Sequence, residues 1–211
     1  MANCSPAHLH NMLTRPLTMT LAPWRSPLSH ALHRNRSLVY ARYLQLATVR
    51  ADGRPANRTV VFRGFLGDTN QLKFVTDSRS KKADQIDGKP WAEACWYFPK
   101  TREQFRLAGK LILVRDNNPA TDLLQARQSA WQELSDAARV QFAWPHPGAP
   151  RANQDAFEPP NPNPTEPNAN FCLLLLDPVE VDVLELRGEP QNRWLYQLDS
   201  AGIWSHQEIN P

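Results

Sequence analysis

Cysteine is scarce in this chain. There are three in 211 residues, Cys4, Cys95 and Cys172, far apart and with no CxxC pair. That argues against a disulfide framework and against a structural zinc site, and it fits a reducing cytoplasm. Long apolar runs are missing too. The greasiest stretch, "FCLLLLDPVEV", is cut by Asp177 and Pro178 and falls short of the ~20 residues that span a membrane; it reads as a buried strand. Neither sign of charge dominates: 24 basic and 21 acidic residues leave +3, too mild to announce a nucleic-acid surface. No GxGxxG or GxxxxGKS/T pattern occurs and no internal repeat is visible, so dinucleotide folds and P-loops are disfavoured. The opening "MANCSPAHLHNMLTRPLTM" has no continuous apolar segment and is not read as a secretory signal. Residues 1–18 read as a disordered extension, with Met1 or Met19 as the start, and His8 and His10 read as part of that tail before they read as metal ligands.

What is present is a pattern of short strands over one domain, residues 19–211. "SPLSHALHRN" predicts a short helix with Ser26 as N-cap and Pro27 in the first helical position. "YLQLATVRADGRPANRTVVFRGF" predicts a hairpin turning at Asp52-Gly53, with Leu44, Leu46 and Thr48 on one face. "QLKFVT" is a third strand, followed by a helix that ends near Gly88 and Pro90. "WAEACWYFP" and "EQFRLAGKLILVR" are further strands, the second bent or bulged at Gly109. A helix follows with Asn118 as cap and Pro119 first, then a second short helix in "SDAARVQFAW". Residues 145–167 hold eight of the 19 prolines and predict a long extended loop. Three closing strands complete the chain. Strands in hairpin-like succession with few helices between them predict an antiparallel sheet or barrel with peripheral helices.

Two stretches carry candidate chemistry. In "NRTVVFRG", Arg58 and Arg63 are five apart and face opposite sides of a regular strand. An arginine in an apolar strand is costly unless it is paired; either an acid on a neighbouring strand meets Arg58, or Arg58 is kept for a bidentate contact with a phosphate. In "FVTDSRSKKADQI", Thr76 and Ser80 offer hydroxyls, and Arg79, Lys81 and Lys82 offer charge, where a strand ends and a helix begins. The free N–H groups of a helix start near Ser80 add a partial positive end. A solvated turn and a phosphate grip both fit that stretch alone; with Arg58 on the preceding hairpin, the grip fits better. Gln104, at the entrance to a long strand, is a third and weaker candidate.

Four stretches in register, "LATVRADGRPANRTVVFRGF", "KFVTDSRSKKADQI", "ACWYFPKTREQFRLAGKL" and "ELRGEPQNRWLYQL", resemble the pyridoxamine 5'-phosphate oxidase-like FMN-binding proteins. The resemblance covers about residues 20–211. It implies a mainly β (α+β) fold, an antiparallel split β-barrel of Greek-key type with peripheral short helices, forming a homodimer with FMN in clefts between the subunits. It implies that Arg58, Thr59, Val60, Val61, Phe62 and Arg63 lie along the flavin, with Arg58 on the phosphate and Arg63 near the ring. Val75 and Thr76 contribute backbone and hydroxyl contacts, and Ser80, Lys81 and Lys82 grip the phosphate and ribityl chain. Gln104 meets the isoalloxazine, and Arg193 reaches the ring from the other subunit.

The chain departs from the family where the vitamin substrate binds. The true oxidases carry an Arg-Leu-His-Asp-Arg run whose first arginine and histidine contact that substrate. Aligned on Arg193, this chain reads Glu189-Pro190-Gln191-Asn192-Arg193, and a tryptophan upstream of the run has no evident equivalent. The expectation is a flavin-dependent oxidoreductase with its oxidase substrate motif lost. The alternatives are a genuine pyridoxamine or pyridoxine 5'-phosphate oxidase, a flavin carrier or sensor without turnover, and an RNA-binding module, which the scattered acids oppose. No catalytic base is assigned and no metal is expected. Trp131, Trp144 and His146 either line the cleft above the flavin or are helix-packing aromatics with an exposed histidine, and the second reading is preferred.

Overall fold

The computed structural model describes residues 21–211. The readings made on residues 1–18, on Met19 and on His8 and His10 lie outside those residues. Helix α1 (Arg25–Asn35) is followed by strands β1 (Tyr43–Val49), β2 (Pro55–Val61) and β3 (Leu72–Asp77). Next come helix α2 (Lys81–Gly88), strands β4 (Trp91–Phe98) and β5 (Glu103–Val114), and helices α3 (Thr121–Gln132) and α4 (Asp136–Arg139). Strands β6 (Phe171–Glu185), β7 (Asn192–Leu198) and β8 (Trp204–Glu208) close the chain. All pairings are antiparallel, in the order β2-β1-β4-β5-β6-β7-β8. Strand β3 pairs with the first half of β6 and β7 with the second half. This is the expected antiparallel split barrel with peripheral short helices.

Alternation dictates which face each strand buries. Leu44, Leu46 and Thr48 point inward from β1, and so do Ala94, Trp96 and Phe98 from β4 and Phe105 and Leu107 from β5. The apolar ones among them meet Trp24 and Leu28 from the amino-terminal segment in one continuous core. The run "FCLLLL" is uniformly apolar because both of its faces are covered. Leu174 and Leu176 enter the barrel core, while Phe171, Leu173 and Leu175 pack against Trp131, Leu134 and Phe142 of the helical layer.

One junction decides where a ligand can enter. Just past β2, Arg63 N donates to Lys73 O at 2.9 Å, Lys73 N donates to Gly64 O at 2.8 Å, and Phe65 bridges to Leu72. Beyond that clasp no ladder joins β2 to β3 among the described residues. The barrel is split there, and α2 lies against β1 and β5 beside the split.

The bulge expected at Gly109 is present: the register shifts between Ala108 and Gly109, with Gly109 opposite Pro178. The hairpin turns at Asp52-Gly53, where Gly53 takes φ +85° and Asp52 Oδ1 accepts from Arg54 N at 3.0 Å. Two helix starts differ from the sequence reading. Helix α1 begins at Arg25 with Trp24 in the cap position, so Ser26 and Pro27 fall inside the first turn. Trp24 is fully buried against Phe65 and Trp204 and anchors the chain earlier, and a proline is tolerated there because its missing N–H has no helical partner. Helix α3 begins at Thr121, with Ala120 as its cap. Asn118 instead closes a turn ahead of the helix, accepting from Ala120 N at 3.0 Å.

Candidate active site

Arg58 projects inward from β2 and is half-buried. Among the described residues it meets no acid, so the ion-pair reading is not borne out there. Its Nη1 donates to Leu46 O at 3.1 Å and to Thr48 Oγ1 at 2.6 Å, and its Nη2 donates to Gln85 Oε1 at 3.0 Å. All three acceptors are uncharged. Burial, and then the neighbouring Arg50 charge, push the Arg58 guanidinium below its ordinary pKa.

Across the split, Lys82 reaches from α2 toward the end of β3. Its ammonium donates to the Thr76 hydroxyl and lies 3.3 Å from Ser80 Oγ. Ser80 occupies the cap position of α2 but makes no side-chain cap bond; its hydroxyl instead lies 3.4 Å from that of Thr76. Burial is the main force lowering the Lys82 pKa, and repulsion from Arg58 is the next. Cys172 pairs with Thr76 across the β3–β6 ladder, and burial pushes its thiol up to about 11, so it adds no charge at neutral pH.

A lysine that feels the charge of a nearby arginine, with two hydroxyls beside the lysine and, among the described residues, no carboxylate bonded to either cation, offers a place for an anion. The chemistry of the donor set fits a phosphate monoester: Arg58 and Lys82 supply charge, and Thr76 and Ser80 supply neutral donors.

The other sequence candidates divide. Arg79 is not part of the grip. Asp77 holds it above its usual pKa through bonds of 2.6 and 3.0 Å, and its remaining donors fasten Trp144 O and Phe142 O, which ties the segment after α4 to the end of β3. Lys81 is exposed, and its Cε lies 3.9 Å from where a Cβ on Gly148 would stand. Val60 packs on the barrel core, Phe62 is within it, and Val75 faces the second cluster. Arg63 is exposed beyond the end of β2.

Thr59, Val61, Gln104 and Arg193 lie on the opposite, outward face of the sheet. Gln104 pairs with Leu184, and Leu184 pairs with Arg193, so the two polar side chains stand in one outward row. Arg193 rests on Asp182 at 2.7 and 3.0 Å. Within one chain, the outward row and the cation pair do not come together.

Trp131 is core, in contact with Phe142 and Phe171. Trp144 packs edge-on to Phe157, and His146 is exposed with Nδ1 2.9 Å from Pro147 O. Trp131 and the exposed His146 fit the preferred reading, while Trp144 packs on Phe157 of the following loop instead of on a helix. Sequence reasoning missed Thr48 and Gln85 as partners of Arg58. Thr48 did leave a signal, a polar residue in phase with Leu44 and Leu46 on a buried face. Among the described residues there is no group of three or more His, Cys, Asp or Glu able to hold a metal, and no helix long and apolar enough to cross a membrane.

Comparison with known proteins agrees with the split barrel. Residues 21–115 match the family model described as pyridoxamine 5'-phosphate oxidase, FMN-binding domain. A pyridoxine/pyridoxamine 5'-phosphate oxidase 2 from Arabidopsis thaliana is 36% identical over 194 residues, 90% of this chain and 98% of that protein. A dihydrophenazinedicarboxylate synthase from Pseudomonas chlororaphis is 29% identical over 174 residues, 81% of this chain and 75% of that one. A solved structure from Nostoc punctiforme, a pyridoxamine 5'-phosphate oxidase-related FMN-binding protein, superposes with a TM-score of 0.89 at 68% identity, covering 92% of this chain and all of that one. The chain belongs to the pyridoxamine 5'-phosphate oxidase-related family of FMN-binding proteins.

Proposed function

We propose that this protein binds FMN with its phosphate between Arg58 and Lys82, and that it is a flavin-dependent oxidoreductase. One observation carries the reading: two half-buried cations lie at the barrel split, one beside the Thr76 and Ser80 hydroxyls, and among the described residues neither bonds a carboxylate. Arg58 and Lys82 neutralise the phosphate, Thr76 and Ser80 hydrogen-bond to it, and Lys81 adds charge at the mouth. When bound, the flavin supplies hydride-accepting redox chemistry.

The ring-side candidates, Gln104 and Arg193 with Thr59 and Val61, face away from the phosphate grip of their own chain. In our reading a second copy brings them to the grip, and the homodimer is the working unit. Exposed Tyr43 and Tyr97 on the same face give that second copy an apolar surface to cover. Arg63 stands at the edge between the two groups.

The substrate side differs from that of a vitamin B6 oxidase. Glu189 and Gln191, with Arg102 and Leu186, line an open cleft of about 410 Å³ beside the outward row. Glu189 stands where the oxidase pattern has an arginine, and a carboxylate at that position opposes a phosphorylated substrate even with Arg102 in the same cleft, so in our reading pyridoxamine 5'-phosphate is not the preferred one. The likeness to the Arabidopsis thaliana oxidase along almost its whole length favours the second reading, oxidation of pyridoxamine or pyridoxine 5'-phosphate. Anaerobic mixing of the FMN-loaded protein with pyridoxamine 5'-phosphate decides between the two. Unchanged flavin absorbance supports the first reading, and rapid bleaching establishes the second.

A further inference from the structure

Arg58 is held on one side only. Its Nη1 engages Leu46 O and Thr48 Oγ1, and one hydrogen of Nη2 engages Gln85 Oε1. The Thr48 hydroxyl donates in turn to Gln85 Oε1 at 2.6 Å, so the two side-chain acceptors are locked to each other. A guanidinium offers five N–H donors in a rigid planar fork. Three are engaged. The two that remain are Nε–H and the second Nη2 hydrogen, which lie side by side on one edge. Among the described residues that edge has no hydrogen-bond partner, and Nε is not sealed from solvent.

We infer that Thr48 and Gln85 are positioning residues that set the roll of Arg58, so that its Nε/Nη2 edge receives two phosphate oxygens. The inference rests on the FMN reading above and adds residues that reading does not contain. Two parallel N–H groups on one edge match two oxygens of a phosphate, and rotating the fork destroys the match. Thr48 is held in place by burial, at 1% exposed. Gln85 comes from the helix that also supplies Lys82, three residues earlier and on the same helical side. One short helix therefore delivers the second cation and orients the first. The amide of Gln85 matters because it accepts from Arg58 without cancelling its charge. A carboxylate in its place would pair with Arg58 and compete with the phosphate.

Titration of the purified full-length apoprotein with FMN and, separately, with riboflavin tests this. The readout is the ratio of the two affinities, because riboflavin lacks only the phosphate. The wild type is expected to prefer FMN. Gln85→Glu is expected to cut that preference about tenfold or more, with riboflavin affinity held within about twofold. Thr48→Val is expected to lower the preference as well, and Thr48→Ser, which keeps the hydroxyl, to restore it. A wild type that prefers FMN, with Gln85→Glu and Thr48→Val keeping the same ratio, overturns the positioning role alone. So does an equal loss of both affinities, which marks a structural role. A wild type that binds FMN no better than riboflavin overturns the phosphate reading and this inference with it.

Discussion

An arginine in an apolar strand was open to two interpretations in the sequence, and among the described residues the structure gives half-buried Arg58 no acid partner. Arg58 is bonded by a main-chain carbonyl, a hydroxyl and an amide, and none of these cancels its charge. Arg58→Ala and Lys82→Ala are each expected to weaken FMN binding by about 1.5–3 kcal/mol, the range for a hydrogen bond to a charged group. Calorimetric titration checks this, and unchanged affinity in both variants removes the phosphate assignment. Lys82 adds a pH dependence. Burial and Arg58 depress its folded pKa below 10.5, while Asp77 and Cys172 oppose that shift. Below the folded pKa, Lys82 is charged in both the folded and unfolded states and the cost of burying that charge is fully present. As pH rises from the folded pKa toward 10.5, the folded chain gives up its proton first. The apoprotein should therefore gain stability across that window, while affinity for FMN should fall across it. Lys82→Arg, which stays charged, should flatten the fall in affinity, and FMN titrations at a series of alkaline pH values read it directly. The charges at this site were legible in "NRTVVFRG" and "SRSKKADQI". The elimination of Arg79 was not, because its partners Asp77, Phe142 O and Trp144 O meet only once the segment that follows α4 has folded back onto the end of β3.

Elements were readable where a local rule was strong. The hairpin at Asp52-Gly53, the alternation of β1 and the bulge at Gly109 follow from turn chemistry and a period of two. The starts of α1 and α3 were missed because a local cap signal lost to tertiary anchoring: buried Trp24 sets the first, and Asn118 spends its side chain on a preceding turn. Gly109 makes the clearest prediction at this scale. A Cβ there would stand 2.1 Å from Asp177 O and 2.8 Å from the Pro178 Cα, main-chain atoms of the facing strand that cannot swing aside. Gly109→Ala should cost about 1–3 kcal/mol of folding stability. Urea denaturation monitored by tryptophan fluorescence checks this, and an unshifted midpoint contradicts the tight approach. The long loop of residues 145–168 was legible as extended, but its attachments were not. Trp131 Nε1 donates to Asn163 O at 2.8 Å and Gln128 Nε2 to Thr165 O at 3.3 Å, contacts that no periodicity announces.

At the scale of the whole molecule, the family pattern recognises a set of residues that one chain holds apart. Lys82 meets Thr76 and Ser80 and feels the charge of inward-facing Arg58, while Gln104 and Arg193 stand on the outward face. A site shared between two copies reconciles these positions and makes a test by complementation. Chains carrying Arg58→Ala with Lys82→Ala are mixed with chains carrying Arg193→Ala, and the hybrid dimer is isolated through two different tags. If each site combines the grip of one copy with the outward row of the other, the hybrid keeps a single intact FMN site. If all the residues act within one chain, it keeps none.

The central claim is that the split in this barrel holds FMN by its phosphate. An absorbance spectrum of the purified protein, recorded with and without added FMN, tests it most directly. The account predicts flavin bands displaced from those of free FMN, retained through gel filtration in the wild type and lost with Arg58→Ala and Lys82→Ala combined. A protein that stays colourless after incubation with FMN and gel filtration would contradict it.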